Sequence, residues 1–303
     1  MGEKDISEKL LADYEDVFAD IVNVLLFHGE RRVKPDTLQT TTTVSHYKAD
    51  DARLHEQERD ILKAWTDGRI QIALLGLEHQ TVPDKQMAVR IIGYEGANYR
   101  SQLEQNPITP VISLVLYFGT EKRWKQPRNL KALMNIPKGL EPYVNDYHIH
   151  VFEIAWLPDE QIDQFQSDFR IVARYFSEKR KNKDYVPHDK TTLKHVDAVL
   201  KLLAVMSGDQ RYETILADPE QKGKVKTMDD ALTRIINEGI EKGRSEGRLE
   251  GLSLGRSEGR IELLVSLCKS GHISADIAAA EMHISTEEFQ KFLMNNDANS
   301  ENI

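Results

Sequence analysis

Glu78-His79-Gln80 closes the apolar run IQIALLGLE, and Asp60 stands on the segment before it. Two carboxylates near the end of neighbouring buried strands suit phosphodiester hydrolysis. That reaction needs neutralised charge and an activated water, and a divalent metal held by carboxylates supplies both. Side chains two apart on a strand share a face, so Glu78 can hold the metal while Gln80 orients the water. The backbone carbonyl of His79 completes the set, its imidazole pointing to the other face. Oxygen donors without cysteine suit Mg²⁺ or Mn²⁺ better than zinc. An acid and a Glu-x-Gln on adjacent strands also recur in many α/β proteins, so spacing alone leaves a purely structural role open.

The elements that must position these residues are legible as pattern. Residues 6–27 read as a helix, with Tyr14, Val17, Phe18, Ile21, Val24 and Leu25 at helical spacing. Asp13, Asp16, Asp20 and Asn23 form a second stripe, a solvated face or one that lines a cation site, with Asp20 a candidate outer-shell partner. Residues 59–64 and 69–77 read as two strands joined at Thr66-Asp67-Gly68, a hairpin expected to bring Asp60 alongside Glu78. A helix over 87–103, a buried strand over 111–119 and an alternating strand over 147–154 follow. Strands interleaved with helices predict an α/β domain with a mixed sheet.

From about Pro158 the pattern turns helical. QIDQFQSDFRIVARYFSEKRKN predicts one amphipathic helix whose end carries Arg174, Lys179, Arg180, Lys181 and Lys183, the strongest local candidate for a DNA backbone contact. TLKHVDAVLKLLAVMSGD predicts another, stopped by Gly208.

Several long segments, taken in order, resemble the Rpn family of recombination-promoting nucleases: RDILKAW, GRIQIALLGLEHQT, QMAVRIIGYEGANYR, PVISLVLYFG and PYVNDYHIHVFEIAWL, with SDFRIVARYF beyond them. The resemblance covers roughly residues 10–220. It implies a PD-(D/E)XK nuclease core in which Asp60, Glu78 and Gln80 are the matching catalytic positions. It also implies metal-dependent DNA cleavage linked to recombination, mobile elements or phage defence. The superfamily's usual lysine is glutamine here, as in this branch of the family. A neutral amide can hydrogen-bond a water but supplies no positive charge. Lys85 is the preferred source of a migrated charge, because Lys63 has the wrong strand parity relative to Asp60. A second reading is a catalytically lapsed member acting as a dimeric DNA- or protein-binding regulator.

Gly239, Gly243, Gly247, Gly251, Gly255 and Gly259 stand among helix formers at a strict spacing of four. Each costs a helix about 1 kcal/mol relative to alanine, which asks for a compensating contact. The residues before them are mostly acidic (Glu238, Glu246, Glu250, Glu258) and those after mostly basic (Arg244, Arg248, Arg256, Arg260). Two copies packed glycine to glycine in parallel would match acid to base, predicting a parallel homodimer. The remainder, to about residue 296, predicts three short helices, with Ser285 and Glu288 as a capping box. Its layout resembles a helix-turn-helix, but Lys291 beside Glu287 and Glu288 fits a protein-binding module better than a DNA reader.

The expected division is therefore a core over 1–157, a helical extension packed on it over 158–225, a ladder helix over 226–260, a three-helix module over 261–296 and a disordered tail over 297–303. One cysteine, Cys268, excludes an internal disulfide and a thiolate metal cluster, and with the charged N-terminus it suggests the cytoplasm. No membrane contact and no small-molecule cofactor are expected. The net charge of −9 requires any nucleic-acid surface to be a local basic rim.

Overall fold

The computed structural model describes residues 11–41, 44–48, 54–58, 61–76, 84–217 and 223–300. The chain divides into two units, Met1–Ile235 and Ile236–Ile303.

The first unit is built on a five-stranded mixed sheet of β1 (Leu38–Thr40), β4 (Ile61–Trp65), β5 (Ile70–Gly76), β6 (Val111–Tyr117) and β7 (His150–Glu153), in that order. The β1–β4 and β4–β5 pairs are antiparallel, and β5–β6 and β6–β7 are parallel. A separate antiparallel pair, β2 (Val44–Lys48) with β3 (Leu54–Glu58), precedes β4. The sequence pattern did not reveal β1 or this pair. The architecture is α/β, as the interleaving predicts.

Alternate residues of the central strands feed two cores, which is why their runs are apolar throughout. Ile61, Ile72, Leu114 and Leu116 face helix α1 (Glu15–Phe27), together with α4 (Phe169–Lys181) and α5 (Val196–Ser207). Leu62, Ala73, Val115 and Tyr117 face α2 (Met87–Ser101) through Met87, Ala88 and Ile91. The first core also takes in Tyr212 and Ile215 of α6 (Arg211–Ala217) and Met228, Ala231 and Ile235. The helical extension therefore shares a core with the sheet.

Local chemistry sets the turns. The β4–β5 hairpin closes Trp65 on Ile70. Gly68 is required there, since an added Cβ would fall 2.3 Å from the Trp65 ring. This tight closure opposes Ile61 to Leu74, whereas Asp60 beside Glu78 would need Ile61 opposite Leu77. As far as it is described, the ladder is offset from the expected pairing. Gly208 ends α5 at φ +71°, a conformation that costs glycine little.

The helix expected from 161 is broken. A single turn, α3 (Asp159–Ile162), is separated from α4 by a loop whose Gln166 and Ser167 amides donate to Asp20. Helix α1 begins at Glu15, after a break at Asp13–Tyr14.

Lys63 shares the α1-facing side of β4 with Ile61 and is fully buried. Its ammonium lies 3.2 Å from Asp13, from Glu15 and from Thr40, and 5.9 Å from the Phe18 ring centre. The Glu15 carboxyl is held below its ordinary range by a backbone hydrogen bond, with Lys63 adding to the effect. Replacing a buried ion pair by an apolar side chain is often neutral, but stranding one partner is costly. We predict that Lys63→Met unfolds within about 1 kcal/mol of wild type, because the acids left without it are half exposed and stay hydrated. Asp13→Ala combined with Glu15→Ala should cost about 2–3 kcal/mol, because both carboxylates are half exposed and already partly screened. Urea denaturation checks both; a double variant as stable as wild type would mean the ammonium is not held by these acids.

Helix α7 spans Met228–Lys269. The ladder and the first helix expected of the terminal module are therefore a single element. Leu264, Val265, Ala278, Ala279 and Phe289 form a small core with α8 (Ala275–Met282) and α9 (Thr286–Ser300). The Ser285–Glu288 capping box is present, with the Ser285 amide donating to the Glu288 carboxylate at 2.9 Å and the Glu288 amide donating to the Ser285 hydroxyl at 3.2 Å. Helix α9 continues to Ser300, into the segment expected to be a disordered tail. Among the described residues, no helix is long and apolar enough to cross a membrane.

Candidate functional site

Asp60, Glu78, His79 and Gln80 lie outside the described residues. What the structure supplies is their frame. Asp60 directly precedes Ile61, the first residue of β4, and Glu78 lies just beyond Gly76, the last of β5. Because β4 runs antiparallel to β5, the start of one and the end of the other share one edge of the sheet. Strands β5, β6 and β7 are parallel, so the ends of β6 and β7 reach that edge too. Lys85 is exposed in the turn leading into α2. There Asp84 accepts from the Gln86 amide at 2.8 Å and from Arg90 at 3.2 Å, fixing the start of the helix. Lys63 faces α1, the opposite side from Leu62, and its ammonium is occupied as described above.

The acidic stripe of α1 borders a cleft of about 400 Å³ shared with Arg31, Lys34 and Lys194. Its members are committed one by one. Asp16 is 2.9 Å from His195 and 3.3 Å from Lys194, and Tyr14 stacks on the His195 ring at 3.6 Å. Burial pushes the Asp16 carboxyl up, but hydrogen bonds and charge from His195 and Lys194 outweigh it and hold it below its ordinary range. Asp20, 4% exposed, accepts from the Gln166 amide at 2.8 Å and the Ser167 amide at 2.7 Å, and pairs with Arg31. Asn23 exchanges two hydrogen bonds of 2.8 Å with the backbone of Val33. Among the described residues, no group of three His, Cys, Asp or Glu side chains could hold a metal ion. The stripe is a set of tertiary pins, and Asp20 ties α1 to the loop before α4.

The basic end of α4 is largely consumed within the fold. Arg174 bridges Asp159, at 2.7 Å, and Asp163. Arg180 donates to the Ala155 carbonyl at 2.8 Å with its guanidinium 4.4 Å from the Trp156 ring centre. Lys181 pairs with Glu178 at 2.8 Å. Lys179 is half-buried, and Lys183, 87% exposed, makes a distant contact of 3.8 Å with Glu121. Charges already neutralised gain little from a phosphate, which applies to Arg174, Arg180 and Lys181 but not to Lys183.

The reading from sequence missed Glu153, at the end of β7. Its carboxylate, 11% exposed, accepts from the Trp124 amide at 2.7 Å and lies 3.2 Å from Arg123 and 3.3 Å from Arg128. The available signal was an acid ending the alternating strand after a loop rich in cations. That loop is ordered by Asp146, which accepts from the Asn129 side chain at 2.8 Å and from the Lys131 and Tyr147 amides at 2.9 Å each. The Lys131 amide, followed by Asn129, lowers the Asp146 carboxyl to about 2. Burial, followed by Glu95, pushes the Tyr147 phenol far above its ordinary value.

Gly239, Gly243, Gly247, Gly251, Gly255 and Gly259 all lie within α7, as the spacing predicts. A Cβ added at Gly239, Gly243, Gly247, Gly251, Gly255 or Gly259 would nevertheless meet nothing within 4 Å. Among the described residues, nothing within the chain itself requires any of the six to be glycine, and the contact expected of them lies between two copies. The physical reason is that the helix runs through solvent here: residues 239–260 are exposed, including Ile240, Leu249, Leu252 and Leu254. The charged flanks carry loose pairs along the helix, Lys242 with Glu246 at 3.9 Å and Arg244 with Glu241 at 3.4 Å.

Residues 51–201 match the family model described as "Putative transposase, YhgA-like". No curated protein matches the chain, and no solved structure does. The matched span runs from before β3 into α5 and so contains Asp60, Glu78, Gln80 and four of the five sheet strands. With its mixed sheet and flanking helices, the chain belongs to the YhgA-like transposase family, the Rpn family of PD-(D/E)XK nucleases.

Proposed function

We propose that this protein is a metal-dependent DNA endonuclease. The observation that carries the reading is the shared sheet edge: β4 starts there just after the chain position of Asp60, and β5 ends there just before that of Glu78. Family membership supports a nuclease-like role in mobile elements. The donor set fits Mg²⁺ or Mn²⁺, with two carboxylates and the His79 carbonyl as hard oxygen ligands. When bound, the metal would supply charge neutralisation at the phosphate and an acidified water. Asp60 and Glu78 would hold it, Gln80 would hydrogen-bond and orient a water, and Lys85 is the nearest sequence candidate for a compensating charge. Plasmid nicking by wild type, Asp60→Ala and Glu78→Ala proteins, with and without EDTA, tests this assignment.

The second unit would serve assembly. Six glycines from Gly239 to Gly259 on a solvent-exposed helix, flanked by columns of opposite charge, favour a parallel homodimer over a linker. Two catalytic units in one particle would permit cutting of both strands. Replacing Gly247 and Gly251 by leucine should strengthen the helix, since each glycine costs about 1 kcal/mol relative to good helix formers. It should at the same time block close approach. Light scattering after size exclusion is expected to give twice the 34.7 kDa chain mass for wild type and one chain mass for the double variant. A dimer that survives the leucines would place the contact elsewhere.

A second reading, a regulator that binds without cutting, is favoured by one feature, the neutral Gln80 where the superfamily has lysine. Folded protein that binds DNA but never nicks it with any divalent metal would support it.

A further inference from the structure

The loop between β6 and β7 carries a second concentration of positive charge in this acidic chain, besides the one at the end of α4. Lys122, Arg123, Lys125 and Arg128 fall within a few residues, accompanied by Glu121. Two of them share a single counter-charge. Glu153 takes both Arg123 and Arg128, yet the guanidinium-bearing side chains remain 59% and 47% exposed. One carboxylate facing two guanidiniums leaves a net positive charge, and each guanidinium has more donors than Glu153 can accept. Arg123 also lies 5.3 Å from the Trp156 ring centre. Lys122 and Lys125 are exposed beside the pair. The result is a fixed cationic fork, the arrangement in which arginine binds phosphate with little further loss of freedom.

Its place in the fold gives the fork a direction. Glu153 pairs with Tyr117 at the end of β6, and Leu116 pairs with Gly76 at the end of β5. The fork therefore stands at the sheet edge where β5 ends, two strand spacings from Gly76, the last described residue before Glu78 in the chain. At ~4.8 Å per strand this is about 10 Å, or roughly three nucleotides at ~3.4 Å per step.

We propose that Arg123 and Arg128, oriented by Glu153 and flanked by Lys122 and Lys125, bind the phosphodiester backbone of DNA a few nucleotides from the bond to be cut. This rests on the nuclease reading above and adds to it the surface that holds the substrate. The α4 cluster, whose charges are mostly paired internally, takes a minor part.

The test uses the full-length chain in EDTA, with a fluorescent DNA duplex and anisotropy titrations at several salt concentrations. Lys122→Glu with Lys125→Glu, and separately Arg123→Gln with Arg128→Gln, are compared with wild type and with Lys183→Glu. Thermal midpoints are checked first. Each lost phosphate contact lowers the slope of log K against log salt by about 0.9, so each double variant should lose up to about 1.8. Affinity at moderate salt should fall at least tenfold, while Lys183→Glu stays within about twofold of wild type. If the arginine variant melts early, the lysine variant decides alone, since its side chains are exposed. Wild-type slopes in a folded double variant would overturn the fork. If wild type still nicks plasmid with Mg²⁺ in that case, only the surface is wrong. A wild-type protein that neither binds nor nicks would remove the surface and the nuclease reading together. Loss of slope on an RNA duplex but not on DNA would overturn the choice of substrate.

Discussion

Asp60→Ala and Glu78→Ala proteins are expected to leave supercoiled plasmid intact while folding as wild type does. The expected loss exceeds about 100-fold for either substitution, since outer-shell partners of a metal alone cost 10–100-fold in affinity or activity. A ligand carboxylate contributes more, because its removal lowers metal affinity and also the charge that holds the metal against a phosphate. Gln80→Ala should differ in kind. It removes a hydrogen-bonding group for the water, so Mn²⁺ binding measured by calorimetry should persist while nicking slows. The three variants therefore separate holding from positioning. Should wild type nick and both carboxylate variants nick equally well, the metal site lies elsewhere. Should folded wild type never nick, the regulator reading takes over, and DNA binding becomes the property to measure.

The second large effect concerns Asp20, which from its spacing could serve either the metal's outer shell or the scaffold. The structure engages both of its oxygens. One accepts the Gln166 and Ser167 amides, and the other pairs with Arg31. Asp20→Ala would leave two amides without an acceptor in a mostly buried setting, and hydrogen bonds to a charged group contribute about 1.5–3 kcal/mol each. The Arg31 contact adds less because that side chain is 35% exposed. A total near 3–5 kcal/mol should lower the melting temperature by roughly 10 °C in a unit of this size. Asp20→Asn, which keeps an acceptor, should fall between. Thermal melts and a Mg²⁺ titration of nicking discriminate the two roles. An unchanged melt with weakened metal dependence would return Asp20 to the site.

Much of this protein is written locally. The two-sided apolar runs 70–77 and 111–119 declare central strands, because only a strand covered on both faces needs no polar alternation. The period-four glycines among helix formers declare a helix, and Ser285 with Glu288 marks the start of the last one. Such signals depend on neighbours within a turn or a strand, so they can be read without knowing what lies across the core. The same holds for the residue types at 60, 78 and 80, whose chemistry is intrinsic even though their mutual geometry is not.

Partner choice is a different matter, since it is settled between residues far apart in the chain. Asp20 and Ser167 meet only when α1 packs on α4, and nothing in either segment names the other. The amides that Asp20 caps are also what interrupts the helix expected from 161, so a local forecast misplaces both. The cations at the end of α4 look free in the sequence, yet Asp159, Asp163, Glu178 and the Ala155 carbonyl take most of them. Conversely, Arg123 and Arg128 look like ordinary loop residues until β7 delivers Glu153 beneath them. Charge identity is local, but whether a charge is spent inside the fold or offered to a ligand depends on which opposite charge the tertiary structure brings within about 4 Å, where Coulomb attraction competes with hydration.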